Sequence, residues 1–220
     1  MKKLMFVLIL AIFYSPVIAD YAGAIKADEE AVKESFKAPG YSPYAGQNYP
    51  TKVLWGDTHL HTNLSLDARA FGVTLGPEEA YRFARGDEVT SSHGERLKLS
   101  RPLDWLVVSD HSDAMGAMNE IVKGNPDLMR VPTVKDWHER INKGGDVALA
   151  ATMEVIETFA GITGESIPKI LMDRDFVGTI WEKYLKTAEE YNDPGKFTTI
   201  IGYEWTSTEG GNNLHRNVLY

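Results

Sequence analysis

The chain has no cysteine among its 220 residues, so disulfides and thiolate metal sites are excluded. Any metal has to be held by nitrogen and oxygen atoms. Positive charge is also scarce, with 23 Lys and Arg against 31 Asp and Glu for a formal net charge of -8. A sequence-independent grip on nucleic acid needs clustered cations facing the phosphates, and that class of function is set aside. There is no Gly-rich phosphate loop and no nucleophile elbow. The one sustained apolar run, residues 4–14, falls well short of the ~20 residues needed to cross a bilayer. It follows two lysines and precedes Pro16 and the small-residue site at Val17-Ile18-Ala19, so residues 1–19 read as a secretory signal peptide cut after Ala19. Export to the periplasm or medium is expected. Cleavage leaves 21 basic and 31 acidic residues, a net charge of -10. Small anionic substrates stay accessible where a metal reverses the charge locally.

What remains suits one globular domain. Residues 20–50, ending in KAPGYSPYAGQNYP, are rich in Pro, Gly and Tyr without a sustained period and read as an arm or linker. From residue 51 short apolar runs alternate with amphipathic stretches: KVLWGDTHLHT, GPEEAYRFAR, then LDWLVVSDH. Strand, helix, strand is the simplest reading, with Pro77 in a helix first turn and Glu78 and Glu79 at the positive end of its dipole. Residues 112–196 look mainly helical, notably DVALAATMEVIETFAG and FVGTIWEKYLKTAEEY. A third strand is expected at KFTTIIGYEWTS and a fourth at NLHRNVLY. The alternation predicts an α/β fold with parallel strands and functional groups at their carboxyl ends. The helical stretch is longer than an ordinary crossover, so it reads as an insertion between the second and third strands, covering the site. Tyr220 ends the chain inside an apparent strand, and the expectation is that residues 51–220 are the N-terminal part of a longer domain.

Only six histidines are present, and two of them stand two apart in GDTHLHT. Side chains at i and i+2 of a strand share a face, so His59 and His61 point together with Asp57 behind them. Two such imidazoles can hold one ion, yet a pair at this spacing also occurs on solvated strand faces. The other strand ends add to the case: LDWLVVSDHSD delivers Asp110 and His111, TTIIGYEWTS delivers Glu204, and GNNLHRNVLY delivers His215. Ionisable groups at the ends of buried strands are costly unless paired or coordinated, and a shared metal cluster removes that cost together. Asp110 reads either as a member of the cluster or as a group that orients a neighbouring imidazole. Arg69 and Arg216 are candidates to hold an anionic oxygen with a planar fork, against the simpler reading of surface arginines. His93 and His138 read as solvated loop or helix-face residues, and Trp105, Trp181 and Trp205 as core.

The motifs GDTHLHT, VVSDHSD, IGYEW and HRNVLY resemble, in order, the opening motifs of the polymerase and histidinol phosphatase (PHP) superfamily, above all its secreted branch of unknown function. The resemblance covers about residues 52–220. It implies a distorted barrel of seven βα units, incomplete in this chain, whose site holds two or three divalent ions (Zn, Mn or Fe) and hydrolyses phosphoesters. Position by position it makes His59 and His61 the first ligand pair, His111 the ligand of the second motif, Glu204 the bridging carboxylate and His215 the next histidine. Asp67 falls near where some members place a further ligand. The implied function is exported, metal-dependent phosphoester hydrolysis of a small phosphorylated substrate, with Glu204, Asp110 and Arg216 as catalytic groups and the oligomeric state left open. Two alternatives stay beside it: an amidohydrolase-like deacylase, and an exported metal-binding domain without turnover.

Overall fold

A computed structural model of the chain describes residues 52–207 and 214–220. The signal-peptide and arm expectations fall on residues outside that range. Lys52–Tyr220 is one compact unit. Its elements run β1 (Gly56–Leu60), α1 (Leu66–Ala70), α2 (Pro77–Ala84), β2 (Val89–Thr90), β3 (Arg96–Leu97), β4 (Trp105–Val108), α3 (Ala117–Lys123), α4 (Pro132–Ile141), α5 (Gly145–Phe159), α6 (Arg174–Tyr191), β5 (Thr198–Ser207) and β6 (Leu214–Leu219). Pro77 sits in the first turn of α2, and the Glu79 carboxylate accepts the Gly76 N–H at 2.9 Å, so one orphan donor of the helix start is satisfied locally. Asp173 caps α6 the same way, accepting from the N–H groups of Asp175 and Phe176.

The main sheet is ordered β1-β4-β5-β6. β1 pairs with β4 and β4 with β5 in parallel, as a βαβ arrangement requires, but β6 runs antiparallel to β5. The expectation of four parallel strands is therefore corrected at the last one. The physical reason is length: only residues 208–213 separate β5 from β6, whereas a parallel return needs roughly a dozen residues or more. β5 and β6 form a hairpin, and His215 enters the site from the start of its strand.

The sheet curls into an open half-barrel, and six α-helices are present among the described residues. These four strands do not form the seven-unit barrel that the resemblance implies. The curl is visible in one bond: Asn217 on β6 donates from Nδ2 to the Thr58 carbonyl on β1 at 2.7 Å, joining the two outer strands.

Two apolar cores hold the unit together. Tyr81 and Ala84 of α2 and Tyr184 and Ala188 of α6 bury Leu106 and Val108 of β4 on one side of the sheet. The second core lies within the insertion itself, where Met118, Ile121, Leu128, Val134, Trp137, Val155 and Leu171 pack together. Tyr184 also mends the ladder: its hydroxyl donates to the Val108 carbonyl at 3.0 Å and accepts the Gly202 N–H at 3.2 Å, where β4 and β5 part. Beyond that gap the strands meet again as Glu204 N–H bonds Asp110 O and Ser112 N–H bonds Glu204 O.

Two local expectations change, and His93 is solvated as expected. Residues 89–97 form a small antiparallel hairpin, with exposed His93 in its turn. His138 lies on α4 but is half-buried, with Nδ1 2.8 Å from the Ile121 carbonyl, so it serves packing between α3 and α4. Trp205 is 43 % exposed, because alternation along β5 turns it outward when Glu204 turns in.

Candidate metal centre

Each ligand-type side chain is fixed by the element that carries it. The end of β1 and the residue after it supply His59 and His61; the first turn of α1 supplies Asp67; the segment after β4 supplies His111; β5 supplies Glu204; and β6 supplies His215. In the β5–β6 register Thr206 faces His215 and Glu204 faces Asn217, so these four lie on one face of the hairpin. The alternation that brings His215 in takes Arg216 out, since it pairs with Trp205 on the opposite face. The expected phosphate-holding role of Arg216 is not supported by this placement.

Glu204 is the hub. It is only 2 % exposed, and its carboxylate is ringed by imidazoles: Oε1 lies 3.1 Å from His59 Nε2 and 3.0 Å from His215 Nδ1, and Oε2 lies 2.8 Å from His61 Nε2 and 3.5 Å from His111 Nε2. The rings form a chain, with centroids 5.1 Å apart for His59 and His61, 4.9 Å for His61 and His111, and 5.1 Å for His111 and His215. Three sets of ligand atoms result, each within 4.8 Å of one another: His59, His61 and Glu204; His61, Asp67 and His111; His111, Glu204 and His215. These His and Glu groups are able to bind metal.

Surrounding polar groups hold the rings in place. Ser65 Oγ donates to Asp67 Oδ1 at 2.5 Å and lies 3.1 Å from His61 Nδ1, while the His111 N–H reaches the same hydroxyl at 3.3 Å. Thr206 Oγ1 stands 2.9 Å from His111 Nδ1 and 3.2 Å from His215 Nδ1. A hydroxyl has one proton to give: Ser65 spends it on Asp67 and so accepts from His61 Nδ1, which leaves His61 Nε2 as the unprotonated nitrogen, and Thr206 lies between the Nδ1 atoms of His111 and His215. Ser65, Thr206 and Asn217 carried no signal in the sequence. Polar residues of these types are common near strand ends, and only the curl of the sheet brings them here.

The electrostatics follow the same contacts. The hydrogen bond to Asp67 raises the pKa of His61 against the lowering effect of burial. Burial works to raise the pKa of Asp67, but hydrogen bonds from His111, His61 and Ser65 outweigh it and hold the carboxyl well below the usual carboxylate range.

A fit to metal rests on two buried atoms. His61 Nε2 and Glu204 Oε2 have no hydrogen-bond partner, although 2.8 Å separates them. The short distance without hydrogen-bond alignment means that both point into a shared space instead of at each other, and a cation there satisfies both. Four imidazoles with two carboxylates and no sulfur make a nitrogen-and-oxygen donor set of the kind that holds a metal ion.

Asp110 stands apart from the three sets. It is 1 % exposed, and Thr62 spends both its N–H and its hydroxyl on the two carboxylate oxygens, the hydroxyl at 2.7 Å. The bond pins the end of β1 to the end of β4 and so orients the strand that carries His59 and His61. Burial pushes the pKa of Asp110 up to about 6 from 3.8, with the Thr62 bonds opposing. A carboxyl whose pKa rises on folding stabilises the fold fully below about pH 3.8, and that contribution is lost as pH rises through about 6. Relative to Asp110→Asn, metal-free wild-type protein is expected to lose ~2 kcal/mol between pH 4 and 7. Chemical denaturation of both proteins across that range measures it, and a pH-independent difference overturns it.

Arg69 is half-buried with Nε donating to Asn119 Oδ1 at 3.3 Å, away from the ligand sets. A cavity of about 850 Å³ beside α3 and α6 contains none of the ligand-type residues named above. A second one, about 460 Å³, is lined by Asp67, His111 and His215 themselves.

The described residues thus define a mixed α/β unit with a His and Glu cluster able to bind metal. Residues 48–220 match the model of a family described as a protein of unknown function, DUF3604, and the chain belongs to that family. No curated protein and no solved structure matches the chain.

Proposed function

We propose that the chain is an exported metal-dependent hydrolase acting on phosphoesters. The observation that carries this reading is the overlap of the three ligand sets: Glu204, His61 and His111 each belong to two of them, an arrangement suited to two or three neighbouring ions. The resemblance to the PHP superfamily supports it, and export rests on the N-terminal leader.

Divalent ions held there supply Lewis acidity to a phosphoryl oxygen and lower the pKa of water. The protein's own contribution is arrangement. Glu204, buried and fixed between β4 and β6, neutralises cationic charge and keeps four imidazoles facing one space. Ser65 and Thr206 hold the outer nitrogens of His61 and His111 so that Nε2 of each faces inward. His59 and His215 lie on the open side, where substrate enters. In the reaction the oxygen of water bonds to phosphorus, the ester P–O bond breaks, and the leaving alkoxide takes up a proton.

A second reading, hydrolysis of a carboxylic ester or amide, is favoured by one observation: no lysine or arginine is found among the described residues lining the adjoining cleft. The test is hydrolysis of 4-nitrophenyl phosphate and 4-nitrophenyl acetate by protein loaded in turn with Zn²⁺, Mn²⁺ and Fe²⁺. Phosphate cleavage that falls at least about tenfold in His59→Ala supports the proposal. Acetate cleavage alone supports the second reading, and no cleavage of either overturns both.

A further inference from the structure

The 460 Å³ cleft beside the cluster has a composition unlike the cluster's. Its far wall is apolar: Leu66 from α1, Ile156 and Phe159 from α5, and Ile167 and Met172 from the segment leading to α6. Ile156 and Phe159 are three residues apart on α5, so they present one stripe. The next face of that helix, with Ala151, Val155 and Thr158, is buried in the insertion. The wall is therefore built on a packed platform. Met172 is 55 % exposed at the cleft, a large apolar side chain left facing solvent.

We propose that this cleft binds an apolar aryl or short alkyl group of the ester cleaved at the cluster. The proposal rests on the hydrolase reading given above and deepens it. Three observations carry it. The cleft is continuous with the cluster, since Asp67, His111 and His215 line both. Its volume lies within the range of small-molecule sites, about 300–1,000 Å³. Its charged lining residues other than the imidazoles are carboxylates, Asp113 and the cluster's own Asp67. An anionic group seated against them is repelled. A sugar there leaves hydroxyls facing methyl groups without partners, which binding penalises. An aryl or alkyl group meets neither cost and gains burial.

The experiment measures binding without turnover. Calorimetry with Zn²⁺-loaded and Mn²⁺-loaded protein compares benzylphosphonate with methylphosphonate, two probes with the same charged head. Benzylphosphonate is expected to bind at least about tenfold more tightly. In Ile156→Thr/Met172→Gln, apolar-to-polar changes at positions that are not buried, the preference is expected to shrink to about threefold or less while methylphosphonate affinity stays unchanged. Equal affinities in wild type, binding of neither probe, or a preference unaltered in the double variant each overturn the cleft assignment. Phenyl phosphate hydrolysis separates this failure from that of the hydrolase reading. Turnover whose KM is indifferent to the double variant sinks the cleft alone, whereas an intact benzyl preference without turnover sinks the hydrolase and leaves the cleft.

Discussion

Replacing Glu204 with Gln is expected to weaken divalent metal binding by about a hundredfold or more and to reduce hydrolysis to background. The substitution preserves shape and removes the charge at the one position that four imidazoles share. Both carboxylate oxygens face imidazole nitrogens, Oε1 within 3.1 Å of His59 and His215 and Oε2 within 3.5 Å of His61 and His111. An amide puts an NH₂ donor in place of one oxygen, and a donor repels a cation. Because Glu204 belongs to two of the three ligand sets, its loss touches more of the cluster than that of an outer ligand. His59, exposed and a member of one set, is expected to cost only about tenfold in affinity when changed to Ala. His93→Ala, in the β2–β3 turn, is expected to change nothing. Calorimetric titration of the three variants with Zn²⁺ and Mn²⁺ ranks these effects, with circular dichroism to verify folding. Should Glu204→Gln bind metal within threefold of wild type, the cluster is not a metal centre organised around this carboxylate.

The parts of the fold legible in the sequence were those with a period. The buried apolar runs before SDHSD and EWTS mark β4 and β5, β1 lies on GDTHL itself after the exposed Val53, Leu54 and Trp55, and the amphipathic stretches mark α2, α5 and α6. Ligand-type residues directly after buried runs are conspicuous because burial otherwise penalises them. Hence His59, His61, His111, Glu204 and His215 were readable as candidates from the residues, Asp67 only through the family resemblance, and the structure brings all six together. What was not legible depends on direction and curvature. Strand pattern carries no sign of polarity, so β6 reads equally well as a parallel strand until the short connection 208–213 is weighed. Pairing then decides what faces where: it turns Arg216 away with Trp205 and joins Asn217 to Thr58 across the open sheet. Trp137 shows the same limit for packing. It lies in KDWHER among charged neighbours, yet it is fully buried, because only the facing helix α5 reveals which side of α4 turns inward.

Trp137→Ala is expected to destabilise the domain by ~4 kcal/mol and to uncouple the cleft from the cluster. The indole is fully buried in the insertion core with Ile121, Leu128, Val134 and Val155, so its removal deletes a large apolar volume from that core. Its Nε1 also donates to Glu154 Oε1 at 2.8 Å, and Arg140 holds the other oxygen at 2.6 Å, so the ring ties α4 to α5. Loosening α5 displaces Ile156 and Phe159, the apolar wall of the cleft. His59, His61 and Glu204 are carried by the sheet, whose own core is built from α2 and α6, and their geometry does not pass through Trp137. His111 is intermediate, because Ala114 and Ala117 shortly after it belong to the insertion core. Denaturant unfolding is therefore expected to show the stability loss, and calorimetry a diminished benzylphosphonate preference with metal affinity lowered by no more than about threefold. Loss of metal binding in proportion to loss of stability would mean that the insertion, and not the sheet, organises the ligands.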